Sequence, residues 1–322
     1  MQPRWCGQRD KAAPLAMGES EFPLISVILA RVSTEDADRV LETLAGFGPS
    51  IASGACEIVI VDRLQDCISA RIERDYPLAR LIPCCTDTTL PEMRTIAFEA
   101  SRGAILAVTE DHCIPCADWV QTVSLAFAQS GPEVVAVGGS VVNGVTDTRL
   151  DWATFLCEYS SFLPPVAEGL SECLPGMNIA YRRSTLAAVP REQLAVGFWE
   201  VTLHPDLIRN GARFISLNEL VMTHKKRISW RLFASQRFAY SRYYAGSRLR
   251  HAGLPKRVAV ALTSLALPPV LLWRMAKAAK FKGSAGTFCA ALPWLALFVV
   301  IWSLGESVGA MLGPGNALRR IE

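Results

Sequence analysis

The sequence predicts an α/β fold, and three observations carry that prediction. Short β-branched runs alternate with helical patterns through the first half of the chain, acidic residues stand where two of those runs end, and the long charge-free segments are confined to the C-terminal quarter. Residues 24–30 form a short apolar run bounded by Pro23 and a polar stretch, which predicts a buried strand. Val40, Leu41, Leu44 and Phe47 then recur at helical spacing. A second strand is expected over residues 57–62, ending on Asp62, followed by a helix and a short strand near residues 79–82. A helix from about Pro91 to Ser101, with proline near its start, leads into a strand over residues 104–109 that runs into Glu110, Asp111 and His112. This alternation predicts a largely parallel sheet covered by helices on both faces. Ligands of such sheets bind at the carboxyl ends of the strands, where Asp62 and Glu110-Asp111-His112 fall.

The second half has a different texture. Residues 134–142 and 176–181 predict two more strands, the latter approached by Gly176; residues 199–211 predict a helix and residues 213–221 a returning strand. From residue 225 to residue 257 there are ten Lys or Arg and no Asp or Glu. A charge-free stretch of 16 residues (258–273) contains Pro268-Pro269, and one of 23 residues (283–305) is long enough to cross a bilayer core of roughly 30 Å. The basic stretch therefore reads as a juxtamembrane collar facing anionic headgroups, and the apolar stretches as C-terminal transmembrane helices, one or two in number. Nucleic acid is the competing partner for basic charge, and the apolar segments that follow speak against it.

The first 21 residues mix Arg4, Arg9, Lys11 and Glu19 without an apolar core, so no secretory signal is expected and the main domain is placed on the cytoplasmic side of the cell membrane. Ten cysteines, scattered without the spacing of a disulfide scaffold, agree with a reducing compartment. The expected organisation is a flexible segment 1–22, an α/β domain 23–225, a basic amphipathic collar 226–257, a hydrophobic anchor 258–313 and a tail 314–322.

Glu110, Asp111 and His112 bring two carboxylates and an imidazole within three positions, a donor set that suits Mn²⁺ or a similar divalent ion. In extended backbone Glu110 and His112 share a face. The same triplet also reads as a polar loop that ends a strand. His112-Cys113-Ile114-Pro115-Cys116 adds a Cys-x-x-Cys unit, but no second such unit or His-x3-His exists to complete a structural zinc site.

The ordered set Ser26-Val27-Ile28-Leu29, Ile58 to Asp62, Arg94, Glu110-Asp111-His112, Gly176-Met177-Asn178 and Trp199-Glu200 resembles the family 2 glycosyltransferases with a GT-A fold, over residues 23–225. The resemblance implies a nucleoside diphosphate sugar as donor and a divalent metal, Mn²⁺ or Mg²⁺, as cofactor. It implies that Asp62 contacts the base or ribose, that Arg94 lies near the diphosphate, and that Glu110-Asp111-His112 corresponds to the family's Asp-x-Asp metal motif with His112 in the last position. Where the family has a Glu-Asp pair on the acceptor side, this chain has Glu200 followed by Val201, leaving Glu200 as the expected general base of an inverting transfer. Gly176 and Asn178 are expected beside donor or acceptor, and Arg237, in the run 235–242, over the diphosphate. Processive members carry Gln-x-x-Arg-Trp there; Gln236-Arg237-Phe238 departs from it and implies transfer of a single sugar. The apolar C-terminus, rather than a motif, suggests a lipid or lipid-linked acceptor. Two other readings stand beside this one: a non-catalytic membrane scaffold of the same fold, and a nucleotidyltransferase, against which speaks the glycine-free segment 30–35.

Overall fold

The computed structural model describes residues 24–322, so the expected flexible segment 1–22, with Cys6, lies outside the described residues. The first half alternates as the sequence predicts: β1 (Ile25–Arg31), α1 (Arg39–Ala52), β2 (Cys56–Asp62), α2 (Cys67–Asp75), β3 (Ala79–Pro83), α3 (Leu90–Ala100) and β4 (Ile105–Glu110). β3, β2, β1 and β4 lie side by side, all parallel, with β1 fully buried. Along β1 the side chains alternate between two cores. Ile25, Val27 and Leu29 join a cluster that includes Leu44, Phe47 and Trp119, whereas Ile28 and Ala30 join one that includes Met93, Phe98 and Leu203. The helices on both faces bury these clusters, as expected.

Beyond β4 the sheet becomes mixed, which corrects the largely parallel expectation. The chain leaves through β5 (Cys113–Pro115), α4 (Trp119–Ala128), β6 (Val134–Asn143), α5 (Arg149–Tyr159) and β7 (Gly169–Ser171) before β8 (Ile179–Arg182) returns antiparallel beside β4. After α6 (Arg183–Ala187), α7 (Arg191–Gly197) and α8 (Glu200–Arg209), β9 (Arg213–His224) pairs parallel to β6 and antiparallel to β5 and β7. The sheet order is β3-β2-β1-β4-β8-β6-β9-β5. β9 runs further than residue 221, and its last residues carry His224 to a position opposite Cys113 of β5. The β6/β9 register shifts between Gly139 and Ser140, a bulge in which a side chain at Gly139 would crowd the Leu217 carbonyl oxygen at 2.6 Å.

The C-terminal segment does not form a separate body. α9 (Trp230–Arg248), α10 (Leu254–Ser264), α11 (Leu267–Phe281) and α12 (Ala285–Leu312) pack on the sheet domain. α12, with 28 residues, is long and apolar enough to cross a membrane by length and composition, and α10 with α11 passes the same test only as a pair bent by 53°. Yet α12 lies along α9: Trp294 meets Trp230 at 6.3 Å between ring centroids, and Phe298 meets Phe233 at 4.6 Å. Lys282, just before α12, donates to the Pro165 carbonyl (2.8 Å), and at the other end Arg257 donates to the Ala310 carbonyl (2.7 Å).

Gly305 and Gly309, four residues apart on α12, bring the two helix backbones together. A Cβ on Gly305 would lie 2.7 Å from the Phe238 carbonyl oxygen, and one on Gly309 would overlap that of Arg242. Gly309→Ala is expected to destabilise by about 1–3 kcal/mol, because the obstacle is backbone and cannot rotate away. Gly286→Ala, in the same helix but with open space at the Cβ position, is expected to be neutral or mildly stabilising. Thermal unfolding of the two variants in detergent checks the contrast.

Candidate active site

Three ligand-type side chains meet at the carboxyl ends of the central strands. Glu110 ends β4, His112 follows two residues later, and His224 ends β9. The β5/β9 pairing that sets His224 opposite Cys113, with the Lys225 N–H donating to the His112 carbonyl at 2.9 Å, brings together residues 112 positions apart. His112 Nε2 stands 3.3 Å from Glu110 Oε2 and 3.0 Å from His224 Nε2. One ligand atom from each of the three falls within 4.8 Å of the others.

Electrostatics follow from this crowding. Burial disfavours charge on His112, but hydrogen bonds to Asp111 and Glu110 outweigh it and raise its titration above the usual imidazole value. Burial and then the neighbouring His112 charge hold His224 well below that value, so it is the neutral ring of the pair. For Glu110, burial is overcome by the hydrogen bond and charge of His112, which bring its carboxyl down to about 2.

Asp111 is placed differently from the metal-ligand role expected for it. Its Oδ2 accepts from the Val32 and Ser33 backbone N–H groups at 2.9 and 3.0 Å, and Oδ1 accepts from Ser33 Oγ at 2.7 Å and meets His112 Nδ1 at 2.8 Å. It fixes the loop after β1 and orients the His112 ring, leaving Nε2 toward the cluster. The third ligand-type side chain beside Glu110 and His112 is instead His224, from the end of β9.

Asp62 is also spent within the protein. Its carboxylate, 1% exposed, accepts from Arg31 Nη1 (3.1 Å), the Leu64 N–H (2.9 Å) and Ser69 Oγ (2.5 Å). Arg31 in turn holds Asp66, the N-cap of α2, so Asp62 anchors the β2–α2 turn and does not line the pocket at the cluster. Asn178 is fully buried: its amide nitrogen donates to the Ser140 and Leu220 carbonyls (2.9 and 2.8 Å), and its oxygen accepts from Trp119 Nε1 (2.8 Å). It fastens the β6/β9 bulge, satisfying carbonyls that the broken ladder frees, and has no atom left for a sugar.

The remaining expected residues do converge. A pocket of about 90 Å³ at the cluster, lined also by Arg94, Glu158, Gln236 and Glu322, opens beside a cavity of about 720 Å³. Arg94, Glu110, Glu158, Tyr159 and Tyr240 line both. Arg94 donates to the Phe198 carbonyl at 3.0 Å and reaches to 3.8 Å from Glu110, bridging the α8 entry to the cluster. Gly176, Glu200 and Arg237 line the larger cavity. Glu200 opens α8 and lies directly over Gly176, where any side chain would overlap its carboxylate. Burial raises the Glu200 carboxyl above the ordinary range, opposed by the Arg94 charge. Arg237 stacks on Trp302 at 4.0 Å, with Glu158 3.9 Å away.

Glu158 on α5, which lines both pockets, is not singled out in the sequence reading. Glu158, like Glu200, is raised by burial. The one signal in the sequence was a carboxylate in the otherwise apolar stretch 153–159.

No family model matches the chain, and no curated protein matches it. Among solved structures it is similar to the mannosyltransferase PcManGT from Pyrobaculum calidifontis in complex with GDP-Man and Mn²⁺ (17% identity, 85% of this chain and 87% of that chain, TM-score 0.48). It is also similar to S. aureus TarS 1-349 (11%, 88% and 90%, TM-score 0.48) and to GalNAc-T7 with UDP, GalNAc and Mn²⁺ (14%, 66% and 45%, TM-score 0.47). These are distant likenesses, and the chemistry of this chain is read from its own side chains.

Proposed function

We propose that the chain is a metal-dependent glycosyltransferase that moves a single sugar from a nucleoside diphosphate sugar, with inversion, to a lipid or lipid-linked acceptor at the cytoplasmic membrane face. The observation that supports it most is the Glu110–His112–His224 cluster at the sheet's carboxyl end, with Glu200 across the adjoining cavity. Two imidazoles and one carboxylate fit Mn²⁺ or a similar transition ion better than Mg²⁺, which prefers oxygen ligands. The neighbouring Thr109 hydroxyl, buried on the same pocket wall, is a further polar atom without a partner among the described residues. When bound there, a divalent ion supplies charge neutralisation for a diphosphate leaving group.

The chain's own residues do the rest. Asp111 holds the His112 ring in place, a constraint of the kind that tunes ligand basicity. Arg94, between Glu110 and the α8 entry, adds positive charge at the junction of the pockets. The Glu200 carboxylate takes the proton of the acceptor hydroxyl, whose oxygen bonds to the anomeric carbon while the bond from that carbon to the diphosphate oxygen breaks and the diphosphate keeps the electron pair. A nucleoside diphosphate is larger than the 90 Å³ pocket alone and extends into the adjoining 720 Å³ cavity. The tail lines the smaller pocket through Glu322, whose N–H donates to Gln236 Oε1 and whose carboxylate accepts from Thr34 Oγ1, both at 3.0 Å.

For the membrane part, the support is the apolar outer surface of α10, α11 and α12, with Leu262, Trp273, Phe281, Leu304 and Leu312 exposed. α12 shares its length with α9, which carries Arg231, Arg237, Arg242 and Arg248, and such company suits attachment in the interface rather than a free span. Calorimetric titration of UDP- and GDP-sugars into the purified chain, with Mn²⁺, with Mg²⁺ and with chelator, tests the reading. Donor binding that requires Mn²⁺ is expected; binding of no donor under any condition sinks the transferase and leaves the scaffold.

A further inference from the structure

A sugar in transfer has to satisfy two neighbours at once. It must touch the leaving diphosphate beside the Glu110–His112–His224 cluster, and it must lie within reach of Glu200, which lines only the larger cavity. Groups that line both the small pocket and the cavity are therefore the ones that face it, and these are Arg94, Glu110, Glu158, Tyr159 and Tyr240. Glu158 and Tyr159 end α5, and Tyr240 sits in the middle of α9; both helices pack against α12, which fixes their spacing around the junction.

The five are not equally available. Arg94 is bound to the Phe198 carbonyl and leans on Glu110, and Glu110 belongs to the cluster through His112. Glu158 has no hydrogen bond among the described residues, and its one ion pair there is a long one, 3.9 Å to Arg237. The side chain lies deep enough for burial to lift its carboxyl above the ordinary range, yet 32% of its surface stays accessible, so the accessible part faces the cavity space. The two tyrosines are fixed by their rings and free at their tips. Tyr159 packs on Phe155 at 5.6 Å and on His224 at 4.9 Å between ring centroids, and Tyr240 packs on Trp199 at 5.5 Å. Neither hydroxyl has a hydrogen-bond partner among the described residues, and neither is sealed from solvent as Thr109 Oγ1 and Trp199 Nε1 are. A phenol both gives and takes a hydrogen bond, and a carboxylate has acceptor sites for several. A polyhydroxylated ring needs both things found here: ring faces for its C–H surface and directed partners for its hydroxyls.

We infer that Glu158, Tyr159 and Tyr240 hold the donor's sugar by its hydroxyls and set which sugar is accepted. This rests on the transferase reading and adds to it the residues that read the transferred group. Glu158 then binds the sugar, while Glu200 takes the acceptor proton. A sugar with a hydroxyl turned to the Glu158 carboxylate is favoured over one deoxygenated at that position, which would leave the carboxylate desolvated and unpaired.

Calorimetry on the full chain with Mn²⁺ compares each nucleoside diphosphate with its sugar-bearing forms: UDP with UDP-glucose and UDP-N-acetylglucosamine, and GDP with GDP-mannose. The sugar-bearing form that wild type binds most tightly is carried into the variants. The quantity read is the ratio of its dissociation constant to that of the bare diphosphate, which cancels whatever a variant does to the metal, the diphosphate site or the fold. Glu158→Ala is expected to leave the bare diphosphate within about twofold and to shift the ratio against the sugar-bearing form by about tenfold, the worth of one hydrogen bond to a charged group. Tyr240→Phe, which deletes a single oxygen from a packed ring, is expected to shift it in the same direction by about threefold to tenfold. An unchanged ratio in Glu158→Ala overturns the inference even where transfer falls, since a general base would lower transfer and leave the ratio alone. Equal loss for both forms assigns Glu158 to the diphosphate site or to the fold, and overturns it as well. Should Glu158→Ala fail to fold, the ratio in Tyr240→Phe decides. Bare diphosphates that do not bind at all with Mn²⁺ overturn the transferase reading, and the inference with it, whereas diphosphate binding with an unchanged ratio leaves that reading standing.

Discussion

His224→Ala is expected to reduce Mn²⁺ affinity by at least about 100-fold and to remove metal-dependent donor binding with it, because it deletes one of three converging ligands. Asp111→Asn is expected to cost less, about 10–100-fold, since Asp111 contacts His112 Nδ1 and acts on the cluster through the ring it orients. The order of the two effects is the informative part. A contiguous Glu110-Asp111-His112 site predicts the reverse, with Asp111 essential and His224 dispensable. Isothermal titration with Mn²⁺ decides between them, and circular dichroism confirms that His224→Ala, whose ring packs against Tyr159 and Phe155, remains folded. Wild-type Mn²⁺ affinity in His224→Ala would remove this residue from the site.

The reason His224 does not join Glu110 and His112 in the sequence is topological. Glu110 and His112 are neighbours in the chain, and the end of an apolar run announces them. His224 joins them only because β5, three residues long, pairs antiparallel with the end of β9, and a strand of that length leaves no periodicity to read. The parallel half of the sheet was legible for the opposite reason: β1, β2 and β4 are buried runs rich in β-branched residues, and amphipathic helices follow the first two. The resemblance sets Asn178 beside donor or acceptor, whereas its amide is taken up by backbone and Trp119 partners. Its real duty depends on a bulge between two strands that come from elsewhere in the chain. The basic stretch was legible only in part. Its charge count is visible, but the split of α9 between a face that meets α12 at Gly305 and Gly309 and a face that lines the cavity appears only when the partners are in place.

Glu200→Gln is expected to keep Mn²⁺-dependent donor binding within about twofold while lowering sugar transfer by roughly 10²–10⁴, the usual contribution of a general base. The pH dependence of the wild type gives an independent signature. A base must be ionised to work, and burial lifts the Glu200 carboxyl above the ordinary range, so transfer is expected to fall as pH drops through that raised value, at a higher pH than the one at which an exposed glutamate protonates. The same shift has a consequence for stability with a definite sign. A carboxyl whose folded pKa is raised stabilises the fold while protonated, and that contribution is lost as pH rises through the folded value. Above that folded value the ionised Glu200 is therefore a burden on the fold, and there Glu200→Gln is expected to raise the melting temperature even as it removes activity. Gly176→Ala supplies the geometric control, because its methyl group would overlap the Glu200 carboxylate and push it aside without changing its chemistry. It is expected to lose transfer and keep donor binding, without the stability gain of Glu200→Gln. If Glu200→Gln transfers normally and Glu158→Gln does not, the base is Glu158, the other carboxylate that burial raises on this cavity. Loss in Glu200→Gln with a melting temperature below wild type would instead mark Glu200 as a residue the fold needs.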